Sequence, residues 1–338
     1  MPVNPDDYDD IVRKINKKYN DSIRNGDSFE SANRISTGSL ELDIALGGGV
    51  PIGRWTRFYG GWSSTKTLTA LRVIGNAQRM GLACAYYNVE KQYDPEFAEL
   101  LGVDSKKLTV VEGTTVEEIV EKMEGLLLVR HLHVIDSCTM AVSEDELEAS
   151  VRDWRPGITA RAWGKGFRRL NERFDSTENT AILIDQTRVD FKTGSENAAG
   201  GRVFDFQSSS SVMFRKGKWL WKNDKGILDP DAKQKKGSSG QVEPEGIEVN
   251  VRVDKSRVGR PLRTATVRLD LETKALDDLF ELSKAARYYG IIDTTSVGRY
   301  EYKGHKMHGE PALREYIAGD TELQEEIRRV ALKSVQNN

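Results

Sequence analysis

Cysteine is nearly absent, with only Cys84 and Cys138 in a chain of 338 residues. They form no CxxC pair, which excludes a disulfide framework and a structural zinc site and fits a reducing cytosol. Long apolar runs are also lacking. No stretch approaches the ~18 uninterrupted apolar residues of a membrane-crossing helix, so no membrane partner is expected. The opening residues, MPVNPDDYDD, are acidic where a secretion signal would be basic and then apolar. A cytoplasmic protein is therefore expected. Nor does one sign of charge dominate: 50 Lys and Arg against 52 Asp and Glu leave a net charge of −2. Any nucleic-acid binding must come from local patches. His305 and His308 have HxxH spacing in a Gly-flanked segment, without the carboxylate or cysteine set that a metal needs. What is present is material for a core, 38% hydrophobic and 30% charged residues, which excludes disorder throughout. The length suits two domains, or one large domain with appendages.

Asn4, Pro5, Asp6 and Asp7 read as a helix start, with a cap, a first-turn proline and acids at the positive end of the dipole. Tyr8, Ile11, Val12, Ile15 and Tyr19 then form one apolar stripe, which must dock on its own domain or on a neighbouring subunit. From residue 34 the pattern predicts strands at 54–59, 82–89, 108–111, 132–136 and 180–184, alternating with helices at 67–80, 95–101, 116–129 and 159–174. Such alternation predicts an α/β domain with a mostly parallel sheet, whose ligands bind at the carboxyl ends of the strands. Residues 194–201 (GSENAAGG) read as a mobile loop, and 225–246 as a loop or flexible hairpin tip. Antiparallel strands are expected at 247–253 and 264–271, followed by a mainly helical tail with a strand-like break near 300–303. The expected division is 1–33, a helix and linker, to which the resemblance given below adds an oligomerisation role; 34–275, a core; and 276–338, a small C-terminal domain.

The strongest chemical signal is Gly60, Gly61, Trp62, Ser63, Ser64, Thr65, Lys66 and Thr67, lying between a strand and a helix. A P-loop wraps phosphates with backbone N–H groups, reaches them with its lysine and holds Mg²⁺ with its hydroxyl. Thr65 stands where that pattern has glycine. Either the loop takes an allowed conformation there or nucleotide binding is weakened. Asp136 ends an apolar run as a metal-organising carboxylate does, and Glu90 ends another strand where it could activate water. Acids often end strands, but with the P-loop in this order they point to an ATPase fold. Residues 150–169 carry Arg152, Arg155, Arg161, Lys165, Arg168 and Arg169 against Asp153 alone, with Trp154 and Trp163 between them. This is the composition of a single-strand binding surface, or of a solvated helix face. Lys216, Lys218, Trp219, Trp221, Lys222, Lys233, Lys235 and Lys236 form a second basic stretch, read as a charged hairpin tip ahead of a site for incoming duplex. Cys84 and Cys138 are read as buried small hydrophobes.

These residues resemble the RecA-type recombinases. Residues 34–47 (RISTGSLELDIALG) are close to that family's entry segment. Residues 90–95 (EKQYDP), 101–104 (LGVD) and 135–137 (IDS) agree in order and spacing, and 302–306 (YKGHK) resemble its C-terminal domain. The resemblance implies an α/β, RecA-like ATPase core, an N-terminal polymerisation helix and a small C-terminal domain. It implies that Lys66 and Thr67 bind the phosphates and Mg²⁺ of ATP, that Asp136 supports the metal through water, and that Glu90 activates water. Asp94 and Phe97 would contact adenine, and Gln186 would sense the γ-phosphate. Lys255 and Arg257 would reach the ATP of the adjacent subunit. Ser150–Gly157, with Arg152 and Arg155, would be the first DNA loop, Arg161 and Arg168 would lie on backbone phosphates, and Arg169 beside them. The second loop would run from Arg188 to Arg202 and include Phe191, Asn197, Gly200 and Gly201. Pro156 replaces an apolar residue that separates base triplets.

The implied function is ATP-dependent strand exchange: a filament on single-stranded DNA that pairs with homologous duplex, with single-strand-binding and mediator proteins as further partners. Thr65 and a long segment at 215–246 depart from bacterial RecA, while the altered P-loop and the Lys255-Ser256-Arg257 arrangement are similar to those of the UvsX-type viral recombinases. Two alternatives stay open. One is a DNA-coating filament with weak or no hydrolysis because of Thr65; the other is a ring-forming RecA-fold helicase.

Overall fold

The computed structural model describes residues 5–19, 33–128, 131–150, 157–174, 179–189, 196–198, 202–224, 226–234 and 242–336. The chain packs as two units, Met1–Asn33 and Arg34–Asn338. The first contains one helix, α1 (Pro5–Tyr19). Of its stripe, Val12 and Ile15 are partly covered and Ile11 is half exposed. The side chains of Tyr8 and Tyr19, and Asn4 altogether, lie outside the described residues.

The second unit opens with β1 (Arg34–Ile35), α2 (Leu40–Leu46) and β2 (Val50–Pro51), the two short strands pairing antiparallel. Ser39 caps α2 by accepting from the Leu42 N–H, and Gly47 closes it in the left-handed region at φ 77°. The elements β3 (Trp55–Gly60), α3 (Lys66–Arg79), β4 (Ala83–Asn88), α4 (Pro95–Leu100), β5 (Leu108–Val111), α5 (Val116–Leu126) and β6 (His131–Asp136) follow. Then come α6 (Glu144–Glu148), α7 (Ile158–Phe174), β7 (Thr180–Val189), β8 (Glu196–Ala198), α8 (Arg202–Gln207), β9 (Ser210–Lys222), β10 (Leu228–Asp229), β11 (Gly246–Ser256) and β12 (Thr264–Asp270). The main sheet runs β12-β11-β9-β3-β7-β6-β4-β5. All pairs from β9 to β5 are parallel, and β11 and β12 add antiparallel edges.

Because successive residues of a strand face opposite sides, this sheet has two cores. Phe58, Tyr86, Val134, Ile182 and Phe214 face α2 and α3. Trp55, Tyr87, Ile135 and Leu183 face α5, α7 and α8. Helix α7 turns Trp163, Phe167, Leu170 and Phe174 inward at helical spacing. The rings of Trp163, Phe167 and Phe174 cluster with Trp55 and Phe204; those of Trp55 and Phe174 stack with centroids 4.5 Å apart and planes 23° apart. Trp163 is thus 1% exposed, and its Nε1 donates to Cys138 O at 3.2 Å. The expectation that Trp163 stands among the cations as a base-contacting group is overturned: it faces inward while the cations face out. Cys84 and Cys138 are both buried and unbridged.

Three further expectations change. The 180–184 strand continues to Val189, and Glu196–Ala198, expected as mobile loop, pairs back on it as β8. Residues 210–222 form β9, a central strand hidden in sequence by its basic outer half. Trp221 in that half is 8% exposed, Lys222 pairs with Asp270 at 2.7 Å, and Lys216 lies 3.9 Å over the Trp219 ring. Residues 216–222 of the stretch are therefore a hairpin arm rather than a tip; Lys233 is exposed beyond β10, and Lys235 and Lys236 lie outside the described residues. The tail holds more strand than its pattern shows: α9 (Asp278–Tyr288), β13 (Asp293–Ser296), β14 (Arg299–Tyr302), β15 (His305–His308), α10 (Glu310–Ala318) and α11 (Thr321–Gln336). Its strands form a separate antiparallel sheet, with His305 and His308 on β15. Among the described residues no group of three or more His, Cys, Asp or Glu could hold a metal, and no helix is long and apolar enough to cross a membrane.

Helix α9 meets α2 through Glu281, 1% exposed, which accepts from Ser39 Oγ at 2.8 Å and from the Glu41 N–H at 3.3 Å. Burial raises its pKa from 4.5 to about 8, against the lowering effect of those two bonds. A folded-state pKa above the unfolded one gives stability that is complete below pH 4.5 and is lost as pH rises towards about 8. The neutral isostere Glu281→Gln is expected to escape that loss. Its melting temperature should gain on wild type from pH 4.5 to 8 and level off above, whereas a gap independent of pH would show that Glu281 is not buried as a neutral acid.

Candidate functional site

Parallel pairing sets the site. The order β3-β7-β6-β4 brings four carboxyl ends side by side, with Gly60 opposite Gln186 and Asn88 opposite Asp136. The loop after β3 is tight at its start: at Gly60, φ 150°, an added Cβ would lie 2.1 Å from Phe214 O. Thr65 then adopts φ 67°, ψ 13°, the left-handed conformation that the P-loop pattern assigns to glycine. The first of the two sequence alternatives for Thr65, an unstrained conformation in this loop, is therefore not the one found. The loop keeps its shape with the β-branched residue strained inside it, at a cost on the order of 1–3 kcal/mol. Ser63 also has positive φ, 54°. Ser64 Oγ donates to Gly61 O at 2.8 Å, and Lys66 Nζ donates to Gly60 O at 2.9 Å, Gly61 O at 2.7 Å and Ser64 Oγ at 3.1 Å. The Trp62 side chain is 81% exposed and takes no part in this ring of contacts.

Thr67 Oγ1 donates to Asp136 Oδ2 at 2.7 Å, and Tyr86 OH donates to the same oxygen at 2.9 Å. Burial lowers the pKa of Lys66 and raises that of Asp136; nearby Asp136 and Glu90 oppose the first shift, and the Thr67 and Tyr86 bonds the second. A hydroxyl beside a buried carboxylate is a hard-oxygen set, the chemistry that Mg²⁺ selects. The N-terminus of α3 behind it favours phosphate. ATP with Mg²⁺ therefore fits the residues present. Next along the row, Glu90 Oε1 accepts from Gln186 Nε2 at 2.9 Å and from Ser137 Oγ. The two residues singled out separately from sequence are thus in contact. Tyr86 and Ser137 were missed as site residues; the only sequence trace of Ser137 is its place directly after Asp136. Asp94 caps α4, accepting from the Phe97 N–H at 3.0 Å, while the Phe97 ring is half-buried against the core.

Other candidates lie apart from this row. Lys255 on β11 is opposite Ser211 of β9, which is opposite Arg57 of β3. Lys255 is thus two strands across from β3 and three residues short of Gly60 along it, about 10 Å in each direction. Its Nζ donates to Asp205 O, and burial is the main cause of its lowered pKa. Arg257, just past β11, is tied by its N–H to Ser209 O at 2.8 Å. On α7, Arg161, Lys165 and Arg168 are exposed along one side. Arg169 is also exposed but pairs with Glu124 at 2.6 Å, which offsets its charge. Arg202 opens α8 and is exposed. Arg188 pairs with Asn197 through the backbone of β7 and β8. The side chains of both, and Arg152, Trp154, Arg155, Pro156, Phe191, Gly200 and Gly201 altogether, lie outside the described residues.

The sequence profile of the RecA N-terminal domain matches residues 7–273. The chain belongs to the RecA family. Protein RecA of Thermus aquaticus is 33% identical over 313 residues, covering 88% of this chain and 84% of that protein. Protein RecA of Deinococcus radiodurans is 32% identical over 311 residues, 89% of this chain and 80% of its own length. Protein RecA of Lactobacillus delbrueckii subsp. bulgaricus is 29% identical over 336 residues and 96% of both chains. Against this family background the strained Thr65 is the feature most open to test. Thr65→Gly should raise the unfolding free energy by about 1 kcal/mol, the relief of strain less the entropy of an added glycine. Urea denaturation checks this, and a loss of stability would show that the left-handed φ is not strained in this loop.

Proposed function

We propose that this chain is an ATP-dependent strand-exchange recombinase. It forms filaments on single-stranded DNA and promotes homologous pairing with duplex DNA in recombination and repair. The observation that carries this reading is the contact between Glu90 and Gln186 at the end of a row that also holds Lys66, Thr67 and Asp136. In such a row one pair of side chains both faces the attacking water and reports whether the terminal phosphate is present. Gly60 through Thr67 cradle the phosphates, and Asp94 and Phe97 border the adenine. Thr67, and Asp136 through water, would hold Mg²⁺, which would supply charge neutralisation on the phosphates. Glu90 takes a proton from water through the oxygen not engaged by Gln186 and Ser137. The water oxygen bonds to the γ-phosphorus as the bond to the ADP oxygen breaks, leaving ADP and phosphate, and release of that phosphate removes the group that Gln186 senses.

Lys255 and Arg257 lie too far along and across the sheet to serve the phosphate loop of their own chain and are suited to serve a neighbour's. The site is then complete only between subunits, with α1 as the polymerisation element and 276–338 as an accessory module. Arg161 and Arg168 track the DNA backbone with Arg169 beside them, and Arg152, Arg155, Arg188, Phe191, Gly200, Gly201 and Arg202 complete the two DNA loops. Single-strand-binding and mediator proteins are further partners on this reading. The strain at Thr65 supports a second reading, a coating filament that binds ATP but turns it over weakly.

ATP hydrolysis measured with and without single-stranded DNA, over a range of protein concentrations, separates the two. Stimulation by DNA that rises cooperatively with protein is expected for the recombinase; DNA binding with no hydrolysis in either condition supports the coat. Lys66→Ala should abolish ATP-dependent strand exchange, and normal exchange in that variant would remove the site assignment. Arg168→Ala should weaken single-strand binding and reduce its salt slope by about 0.7, one phosphate contact. An unchanged slope would mean that Arg168 does not touch the backbone.

A further inference from the structure

One strong charge is buried on the aromatic face of the sheet. Arg57 on β3, three residues before Gly60, is 1% exposed. Its fork reaches two different elements: Nη2 donates to Asp185 of β7, itself 0% exposed, and Nη1 donates to Asp205 of α8. The guanidinium centre lies 4.7 Å from the Tyr59 ring centroid and 5.9 Å from that of Phe204. Tyr59 OH donates to Asp254 of β11, and the next residue, Lys255, donates to the main-chain oxygen of Asp205. Asp205 is thus gripped twice, by Arg57 at its side chain and by Lys255 at its backbone.

Stability alone does not account for such an arrangement. Desolvation offsets much of the attraction in a buried ion pair, and apolar groups of similar volume serve a core as well. What a two-pronged guanidinium supplies is fixed geometry between the elements it joins. Asp185 directly precedes Gln186 on β7. Asp205 sits on α8, which begins at Arg202, where the second DNA loop of the proposed function ends. The fork therefore spans the sensor strand and the helix that closes the loop, and Lys255 is tied to the same helix.

We propose that Arg57 is a positioning residue that couples nucleotide state to DNA binding. It holds α8 and Lys255 in register with β7, so that a displacement of the sensor strand is delivered to the second loop. Arg57 touches neither ATP nor DNA in this role. The inference rests on the recombinase reading above, and its test distinguishes failure of the one from failure of the other.

Asp205→Asn is the informative variant, because the Asp205 side chain is 51% exposed and its change leaves Arg57 paired with Asp185. The measurement uses the full chain at one salt concentration. Affinity for a labelled oligo-dT is determined with and without the slowly hydrolysed analogue ATPγS, and affinity for ATPγS with and without oligo-dT. The coupling factor is the same from either side. In wild type ATPγS is expected to tighten DNA binding about tenfold or more. In Asp205→Asn the analogue should bind free protein within about twofold of wild type while the coupling factor falls towards one, and Asp205→Glu should restore most of it. A wild-type coupling factor in Asp205→Asn would overturn the positioning role and leave the recombinase reading intact. Loss of ATPγS binding together with a lowered melting temperature would also overturn it, by showing a merely structural contact. A coupling factor of one in wild type would overturn the recombinase reading and the inference with it.

Discussion

The register of four parallel strands governs the chemistry of this chain. Gly60, Gln186, Asp136 and the turn leading to Glu90 come from segments far apart in sequence, yet they form one row because β3, β7, β6 and β4 pair in that order with aligned carboxyl ends. Slip of a single residue in any of these pairings would turn an acid or the glutamine to the wrong side of the sheet. The two cores hold the register. Each paired strand buries residues on both faces, so a one-step slip would exchange Phe58 for Arg57 in the packing against α2 and α3.

Onto that frame the chain places four buried ionisable groups, each with an answering group. Lys66 is surrounded by carbonyl oxygens of its own loop, Asp136 by two hydroxyls, Arg57 by two carboxylates and Glu281 by a hydroxyl and an amide. The shifts at Lys66 and Asp136 run in opposite directions from one cause, removal from water. A phosphate bringing negative charge to the lysine and a divalent ion bringing positive charge to the aspartate would reverse both. The polar site is therefore more costly to bury alone than with its expected ligands.

Much of this was legible in the sequence, for a local reason in each case. The phosphate loop is contiguous, Asp136 and Glu90 follow apolar runs, and α3, α4, α5 and α7 carry an apolar period along their lengths. What stayed hidden depends on pairing between distant segments. The basic outer half of β9 gives no strand signal of its own, because its partner β11 and the packing of Trp221 decide its state. Trp163 looked like one more aromatic among cations, and only the rotation of α7 shows that it belongs with Phe167 and Phe174. The contact of Gln186 with Glu90 crosses 96 residues of chain, and the double grip on Asp205 crosses 148 to Arg57 and 50 to Lys255, beyond the reach of any spacing rule.

The continuation of β7 to Val189, with β8 folded back along Thr187–Val189, has a mechanical meaning. The backbone beside Gln186 is hydrogen-bonded to Gly60, and from the next residue the strand is stiffened by its hairpin partner. A strand supported in this way behaves as a rod rather than a string. A push or twist applied at residue 186 travels about 10 Å to residue 189 without being absorbed by bending. What reaches Val189 is then felt at once by its partner Glu196, so the pair moves as one piece rather than as two strands.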